Sequence, residues 1–546
     1  MKKLLTQKGL KLIFLIAVAS ALLLSSCRNP AYNIDVLFDA AVIKYKATLL
    51  VTDASGATLP ALNISISGTD AASIYDFSGT KAIYSPGGII TLGVTPNAEP
   101  TIAKSINFNV VIKATGYEDV NVAMEIINGQ VSQLQRVTLL KSSAGTSASV
   151  VTSRTVPIGT NGATTVATTV TTVANLNVPT TTSLIIGSGT QFKNTAGATL
   201  SGNSLRVQLI NFNTSNVLSV NLFPGGKLAA RNVVMPGSAT PTDAFFIPAA
   251  SVNVKMFMNN DEVKTFTQPI TVTTQVDPSY IITSTGATVK AGDQLPVYSY
   301  QVETGQFTFE SIGTVTNIQG KLAVNITTSH LTVFVVGEVF STASCADTRV
   351  TYSANWLNGS TRPVNVEIST NTGKIIATST VLMSDNVTDI FRGLPGIPLQ
   401  LKVIDINGET LATASITNPC AGSSLNLTVT KPALDFDNIT LQLNVVCPGK
   451  GIILVPNFDL YYKPAGAPAT AYNILGTANR GLIRTTLLKR GTVYDFKAIW
   501  GSQVKIVPNR MITDLDMSTT VGEGLDLGKN PIANTALLIE ACKLVN

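Results

Sequence analysis

The sequence is poor in charge, in aromatic rings and above all in imidazole. Among 546 residues there is one histidine, His330. A site that needs two imidazoles, such as a His-rich zinc or non-haem iron centre, is excluded. Charged residues make up 13% of the chain and aromatics 6%, against about 25% charged in an average soluble protein. The formal net charge is +6, but Lys2, Lys3, Lys8 and Lys11 supply four of those charges in a 26-residue stretch without an acid. The remaining +2 gives no reason to expect nucleic acid as a partner. No P-loop, G-x-G-x-x-G or EF-hand loop occurs, and a Ser-His-Asp triad has only His330 to draw on, without a G-x-S-x-G context. No cofactor is implied.

What is present begins at the N-terminus. After the basic Met1–Lys11 region comes an uncharged apolar run, Leu12–Leu24. Its thirteen residues reach about 20 Å as a helix, short of a ~30 Å hydrocarbon core, so residues 1–26 read as a signal peptide. The run ends Leu24-Ser25-Ser26-Cys27, which resembles the lipobox of bacterial lipoproteins. That resemblance implies cleavage before Cys27, a diacylglyceryl thioether on its thiol and an acylated amine (palmitate or a similar chain), with residues 27–29 as the lipidated N-terminus. Two or three chains, at about 0.8 kcal/mol per buried methylene, make a lasting membrane anchor. Arg28 stands where enteric inner-membrane lipoproteins carry Asp, so the resemblance implies the outer membrane if the cell is Gram-negative.

Four further cysteines, Cys345, Cys420, Cys447 and Cys542, lie in the last two-fifths of the chain. Four cysteines allow three pairings. We favour 345–420 and 447–542, because each then closes within one domain of an envelope protein in an oxidising compartment. A metal site is the rival use, but no C-x-x-C spacing occurs.

Beyond residue 27 the hydrophobic period is two throughout, interrupted by Gly, Asn, Asp and Pro. Examples are Val252/Val254/Met256/Met258, Leu322/Val324/Ile326, Val364/Val366/Ile368 and Leu399/Leu401/Val403. Hairpins are expected from Tyr298–Val302 through Glu303-Thr304-Gly305 to Phe307–Phe309, and from Val403–Ile406 through Asn407-Gly408 as a type I′ turn. The fold class is all-β, with tandem β-sandwich, Ig-like domains in a bead-like chain. The boundaries read 30–142 for the first sandwich, 143–183 for a Ser/Thr-rich linker, 184–340, 341–432 and 433–546. Part of 143–183, rich in β-branched residues, is alternatively an edge strand. In the first sandwich, Val51-Thr-Asp-Ala-Ser-Gly56, the strand at Leu62–Ile66 and the later Gly116-Tyr117 resemble carboxypeptidase-regulatory-like or Ig-like domains. The last two segments look like further copies, each able to bury one tryptophan, Trp356 and Trp500.

The central segment holds the one sharp motif, Ser329-His330-Leu331-Thr332 followed by Val333–Val336. With Phe245–Ala250, Phe266–Ile270, Gly292-Asp293 and Gly320–Val324 before it, the order resembles the GAIN domain of adhesion receptors and the related sandwich domains of netrin receptors and ankyrins. His-Leu-Thr is the tripeptide at which GAIN domains cut themselves. The resemblance implies that Thr332 Oγ1 attacks the Leu331 carbonyl, with His330 as general base, from a strained tight turn at 328–331. The plainer reading is a structural histidine hydrogen-bonded to its surroundings. Receptor GAIN domains also carry cysteine pairs that this segment lacks.

Other polar groups read as scaffolding. Asp261-Glu262 and Asp435/Asp437 suit turns or, at most, weak Ca²⁺ sites, and Arg480, Arg484, Lys489 and Arg490 suit a solvated strand face. The favoured reading is a non-enzymatic, lipid-anchored envelope protein that presents or spaces a binding surface for adhesion, with a glycan or protein as ligand. Self-cleavage between Leu331 and Thr332 and a carbohydrate-active accessory role are the alternatives.

Overall fold

The computed structural model describes residues 36–39, 43–447, 452–455 and 457–522. Residues 1–26, read from the sequence as a signal peptide, Cys27 and Cys542 lie outside the described residues. The chain is all-β: four sandwiches follow one another, and among the described residues the only α-helix is the short Val217–Leu222.

Three of the four sandwiches share one strand plan. The first runs Lys46–Asp53, Leu62–Ser67, Ile74–Asp76, Ile89–Val94, Ile106–Ala114, Val120–Ile126 and Ser132–Leu139. The third spans Thr348–Ser353 to Ser423–Thr428, and the last spans Ile439–Cys447 to Thr519–Gly522. In each, with the extra strand Ile452–Val455 of the last left out of the count, the opening strand pairs antiparallel with the fourth strand and parallel with the seventh. The opposite sheet pairs the second strand with the fifth and the fifth with the sixth. Alternation explains the cores. Val364, Val366 and Ile368 from one strand and Leu399, Leu401 and Val403 from its neighbour all point inward and are buried, as period-two side chains on a one-sided sheet must be.

The central sandwich differs in size. One sheet contains Ser149–Pro157, Ser204–Phe212, Thr242–Met258, Val333–Ser341 and Gln294–Gln301, and the other Thr168–Thr171, Thr182–Ile186, Thr265–Gln275 and Lys321–His330. Gln306–Ile318 pairs with the first sheet at its start and with the second at its end. An aromatic cluster fills the space between. Phe246 lies 4.6 Å from Phe307 and edge-on to Tyr298 at 5.3 Å.

Several expectations change here. Residues 143–183 are not a linker, because Ser149–Pro157 and Thr168–Thr171 are strands of the central sandwich. An edge strand needs only a few inward side chains, which Val156 and Val170 supply, so a composition too poor for a core still suffices. Val36–Asp39, placed by sequence in the first sandwich, pairs parallel with Ile452–Val455 of the last. Pro248 sits within Thr242–Met258 at a bulge, where its missing N–H costs no ladder bond. Gly337 faces that bulge, and a Cβ there would stand 2.3 Å from the Ile247 carbonyl oxygen. At Asn407-Gly408 only Gly408 takes a positive φ. The turn is closed by Gly408 N–H donating to Asp405 O at 2.9 Å, with a register shift beside it, so it is a bulged turn rather than type I′.

The sandwiches pack on one another. Lys46 of the first forms a buried ion pair with Asp459 of the last, whose carboxylate also accepts from Thr48 at 3.1 Å and Thr477 at 2.7 Å. Around it Ile89 packs with Tyr461, Ile474 and Ile499. Between the third and last, the fully buried Arg362 guanidinium binds Asp405 at 2.8 Å, Asp435 at 3.0 Å and the Leu434 carbonyl at 2.9 Å. The cores of the central and third sandwiches merge into one cluster.

Candidate functional site

The His330-Leu331-Thr332 segment lines a cleft of about 640 Å³ between the first and central sandwiches. Three sequence features place it there. Lys321–His330 ends one strand of the second sheet, Val333 begins a strand of the first, and the two residues between carry the chain across. The tight turn expected at 328–331 is absent, because each strand finds its own partners in a different sheet. No residue of 328–332 takes a positive φ. The Leu331 amide donates to Lys264 O at 2.9 Å, and Thr332 O accepts from the Val254 amide at 3.1 Å.

The side chains of the motif diverge. The Thr332 hydroxyl donates to the Tyr300 carbonyl. His330 Nε2 lies 3.2 Å from Glu310, its Nδ1 lies 3.5 Å from the Thr328 hydroxyl, and its ring meets Phe334 edge-on at 6.0 Å. Thus the motif is brought together in sequence and in space, while its hydroxyl and imidazole are turned to different partners.

The rest of the cleft is polar, and its charges are paired with one another. Glu118, buried, receives Ser142 Oγ at 2.6 Å, Asn253 Nδ2 at 2.8 Å and Lys255 Nζ at 2.7 Å. Lys264 bridges Glu262 at 3.1 Å and Glu303 at 3.4 Å. Burial opposes the Lys264 charge, but these two carboxylates hold its pKa above the ordinary value. Asn121 Nδ2 donates to Val302 O at 2.9 Å, and the Asn121 main-chain carbonyl accepts the Tyr300 hydroxyl at 3.2 Å. These groups join the two sandwiches; none is set as a base beside a free nucleophile.

The remaining sequence candidates disperse. Cys345 and Cys420 form a disulfide within the third sandwich. Cys447 is disulfide-bonded too, and Cys542, its expected partner, is outside the described residues. Asp435 is no Ca²⁺ ligand, since its carboxylate is buried against Arg362 and Lys431. Asp437 pairs with Arg490 on the surface at 2.7 Å, and Asp261-Glu262 pairs back onto Phe257-Met258 after a turn. Among the described residues no group of three His, Cys, Asp or Glu could hold a metal ion. No described helix is long and apolar enough to cross a membrane.

The turn chemistry of the first sandwich is tied together by a contact the sequence did not disclose. The Asp53 carboxylate accepts the Ser55 amide at 2.6 Å and the Tyr117 hydroxyl at 2.6 Å, so the D-x-x-G turn and the Gly116-Tyr117 pair meet. Burial pushes the Asp53 pKa up, but hydrogen bonds from Ser55, Tyr117 and Ala57 prevail and hold it at about 2. Lys46, Asp459 and Arg362 were also missed. Lys46 and Asp459 are 413 residues apart, and no local pattern marks such a pair.

No protein-family model matches the chain. No curated protein matches it either. Among solved structures, the Bacillus anthracis TIE protein is similar at 10% identity over 68% of this chain and 57% of its own, with a TM-score of 0.13. GBS52, the minor pilin of Streptococcus agalactiae, is 9% identical over 32% of this chain and 94% of its own, with a TM-score of 0.13. BcpA, the major pilin subunit of Bacillus cereus, is 10% identical over 71% and 99%, again with a TM-score of 0.13. Superposition this poor carries no argument, and the fold assignment stands on the sheets themselves.

Proposed function

We propose that the chain is a lipid-anchored, non-enzymatic protein of the cell envelope that holds a binding surface on a platform of four locked sandwiches. The supporting observation is the set of buried contacts between sandwiches, with Lys46–Asp459 and Arg362–Asp435 at its centre. Such pairs are costly to bury and serve to fix one arrangement of domains. A chain that merely spaced two points apart would need no such locks. The Leu24-Ser25-Ser26-Cys27 pattern supplies the anchor in this reading, and adhesion to a glycan, another cell or an envelope partner is its use.

Metabolic labelling with an alkyne palmitate, followed by membrane fractionation, tests the reading. Wild type is expected to label and sediment with membranes. Cys27→Ala is expected to do neither. Equal labelling and sedimentation of both proteins would refute the anchor.

A further inference from the structure

A second cleft, of about 570 Å³, opens where all four sandwiches meet. Its walls come from Ser132–Leu139 of the first sandwich, residues 226–229 of the central one, Ile375–Met383 and Thr388–Phe391 of the third, and Thr477 and Asn479 of the last. Three cationic side chains, Arg136, Lys227 and Arg392, and two acids, Glu125 and Asp389, line it. Gln135 Nε2 is buried and has no acceptor. The place of a Cβ on Gly226 lies 3.9 Å from that nitrogen, which brings Gln135 beside the loop that carries Lys227. Lys227 makes no hydrogen bond or ion pair among the described residues. Its nearest carboxylates, Glu125 and Asp243, act on it only through space, and Glu125 is already claimed by Arg231 and Arg392 at 2.5 and 2.6 Å. Arg136 gives its Nε to Thr380 Oγ1 at 3.1 Å, and among the described residues its two terminal nitrogens meet no carboxylate.

A buried amide nitrogen without an acceptor and a half-buried ammonium without an ion pair are costly to leave bare, and the exposed Arg136 guanidinium adds charge at the rim. The missing partner must be rich in oxygen lone pairs and negatively charged, since a guanidinium and an ammonium together favour an oxyanion. The pKa of Lys227 is pushed down to about 8 by burial and by Arg231, and Glu125 and Asp243 offset this only in part. Two acids line the same cleft: Glu125, held in its pairs with Arg231 and Arg392, and Asp389, pushed up to about 6 by burial and still mostly ionised at neutral pH; against Arg136, Lys227 and Arg392 they leave one positive charge in excess. The chain's net charge of +6 gives no sign of this local imbalance.

We propose that this four-way cleft binds an oxyanion, either a carboxylate or a tetrahedral phosphate or sulfate, held by Arg136, Lys227 and Gln135. It rests on the reading of the chain as a ligand-presenting platform and gives that platform a ligand class. Calorimetric titration of the purified chain with sodium glucuronate, inorganic phosphate and inorganic sulfate, at low salt, tests it. Saturable binding is expected for at least one of the three. Glucuronate alone identifies a carboxylate, as on an acidic saccharide; phosphate or sulfate identifies a tetrahedral anion. Lys227→Gln and Arg136→Gln should each weaken binding about tenfold or more, with Arg136→Lys recovering part of it and the exposed Lys290→Gln leaving it unchanged. Thermal unfolding of each variant separates lost binding from lost folding. Absence of saturable binding to all three anions, or wild-type affinity in both glutamine variants, overturns the proposal. The palmitate experiment is independent, so an anchored protein that binds no anion fails here alone.

Discussion

Asp459→Ala is the most direct test of whether the sandwiches are locked. The substitution removes the acceptor of three donors: the Lys46 ammonium and the hydroxyls of Thr48 and Thr477. Both charged side chains are almost fully buried, so water cannot replace the carboxylate without opening the junction. Removing one partner of such a pair costs about 3–5 kcal/mol. Two groups soften the loss: Lys46 keeps its hydrogen bond to Thr477 at 2.6 Å and lies 5.6 Å from the Phe77 ring. We therefore expect about 3 kcal/mol in urea unfolding at neutral pH. The double variant Lys46→Met/Asp459→Leu removes both charges and should recover most of that loss, because apolar replacements of buried pairs are often neutral or better. Completed with the single variants Lys46→Met and Asp459→Leu, the cycle then gives a coupling of about 2 kcal/mol or more. A cost below about 1 kcal/mol for Asp459→Ala is what an exposed pair would show. That result would mean the first and last sandwiches are not held together at this point.

Four further outcomes follow from the same geometry. Arg362→Met should cost about 3–5 kcal/mol by stranding Asp405 and Asp435, read by thermal unfolding; an unchanged midpoint would contradict its burial. Tyr117→Phe should cost about 1.5–3 kcal/mol, a hydrogen bond to a charged group. Because the folded Asp53 pKa of about 2 lies below its ordinary 3.8, its contribution is complete above pH 4 and is lost as pH falls through 2, so the Tyr117→Phe deficit should shrink over that window in an acid titration. Replacing Cys345 and Cys420 together by alanine opens a 75-residue loop and should cost about 4 kcal/mol on the chain-entropy view, with a small loss in urea midpoint counting against it. Intact mass should be identical, apart from the substitution, for wild type and Thr332→Ala; a wild-type protein in two pieces joined by no peptide bond at Leu331–Thr332 would reverse our reading of that segment.

Strand alternation was legible because it is local. Val252, Val254, Met256 and Met258 are all buried on one face, as their spacing demanded. The likeness of the last two sandwiches to the first was legible in turn chemistry and appears as a shared strand plan. What escaped the sequence depended on partners far along the chain. Ser149–Pro157 looked too polar to fold, yet pairs over its whole length with Ser204–Phe212. His330-Leu331-Thr332 reads the same whether it rounds a hairpin or crosses between sheets, and only the neighbours of the flanking strands decide. The four-way cleft gathers residues from four domains, so no window of sequence contains it.

The parallel pairing of opening and closing strands has a mechanical consequence. In the first sandwich Lys46–Asp53 and Ser132–Leu139 lie side by side over eight residue pairs and run the same way. Tension applied to the two ends of that sandwich pulls these strands past each other along their length. The ladder is then loaded in shear, with all its hydrogen bonds bearing force together, instead of being peeled one at a time from an end. The third sandwich repeats the arrangement over six pairs, Thr348–Ser353 against Ser423–Thr428. A protein tethered at one end and gripped at another would meet traction with its strongest geometry.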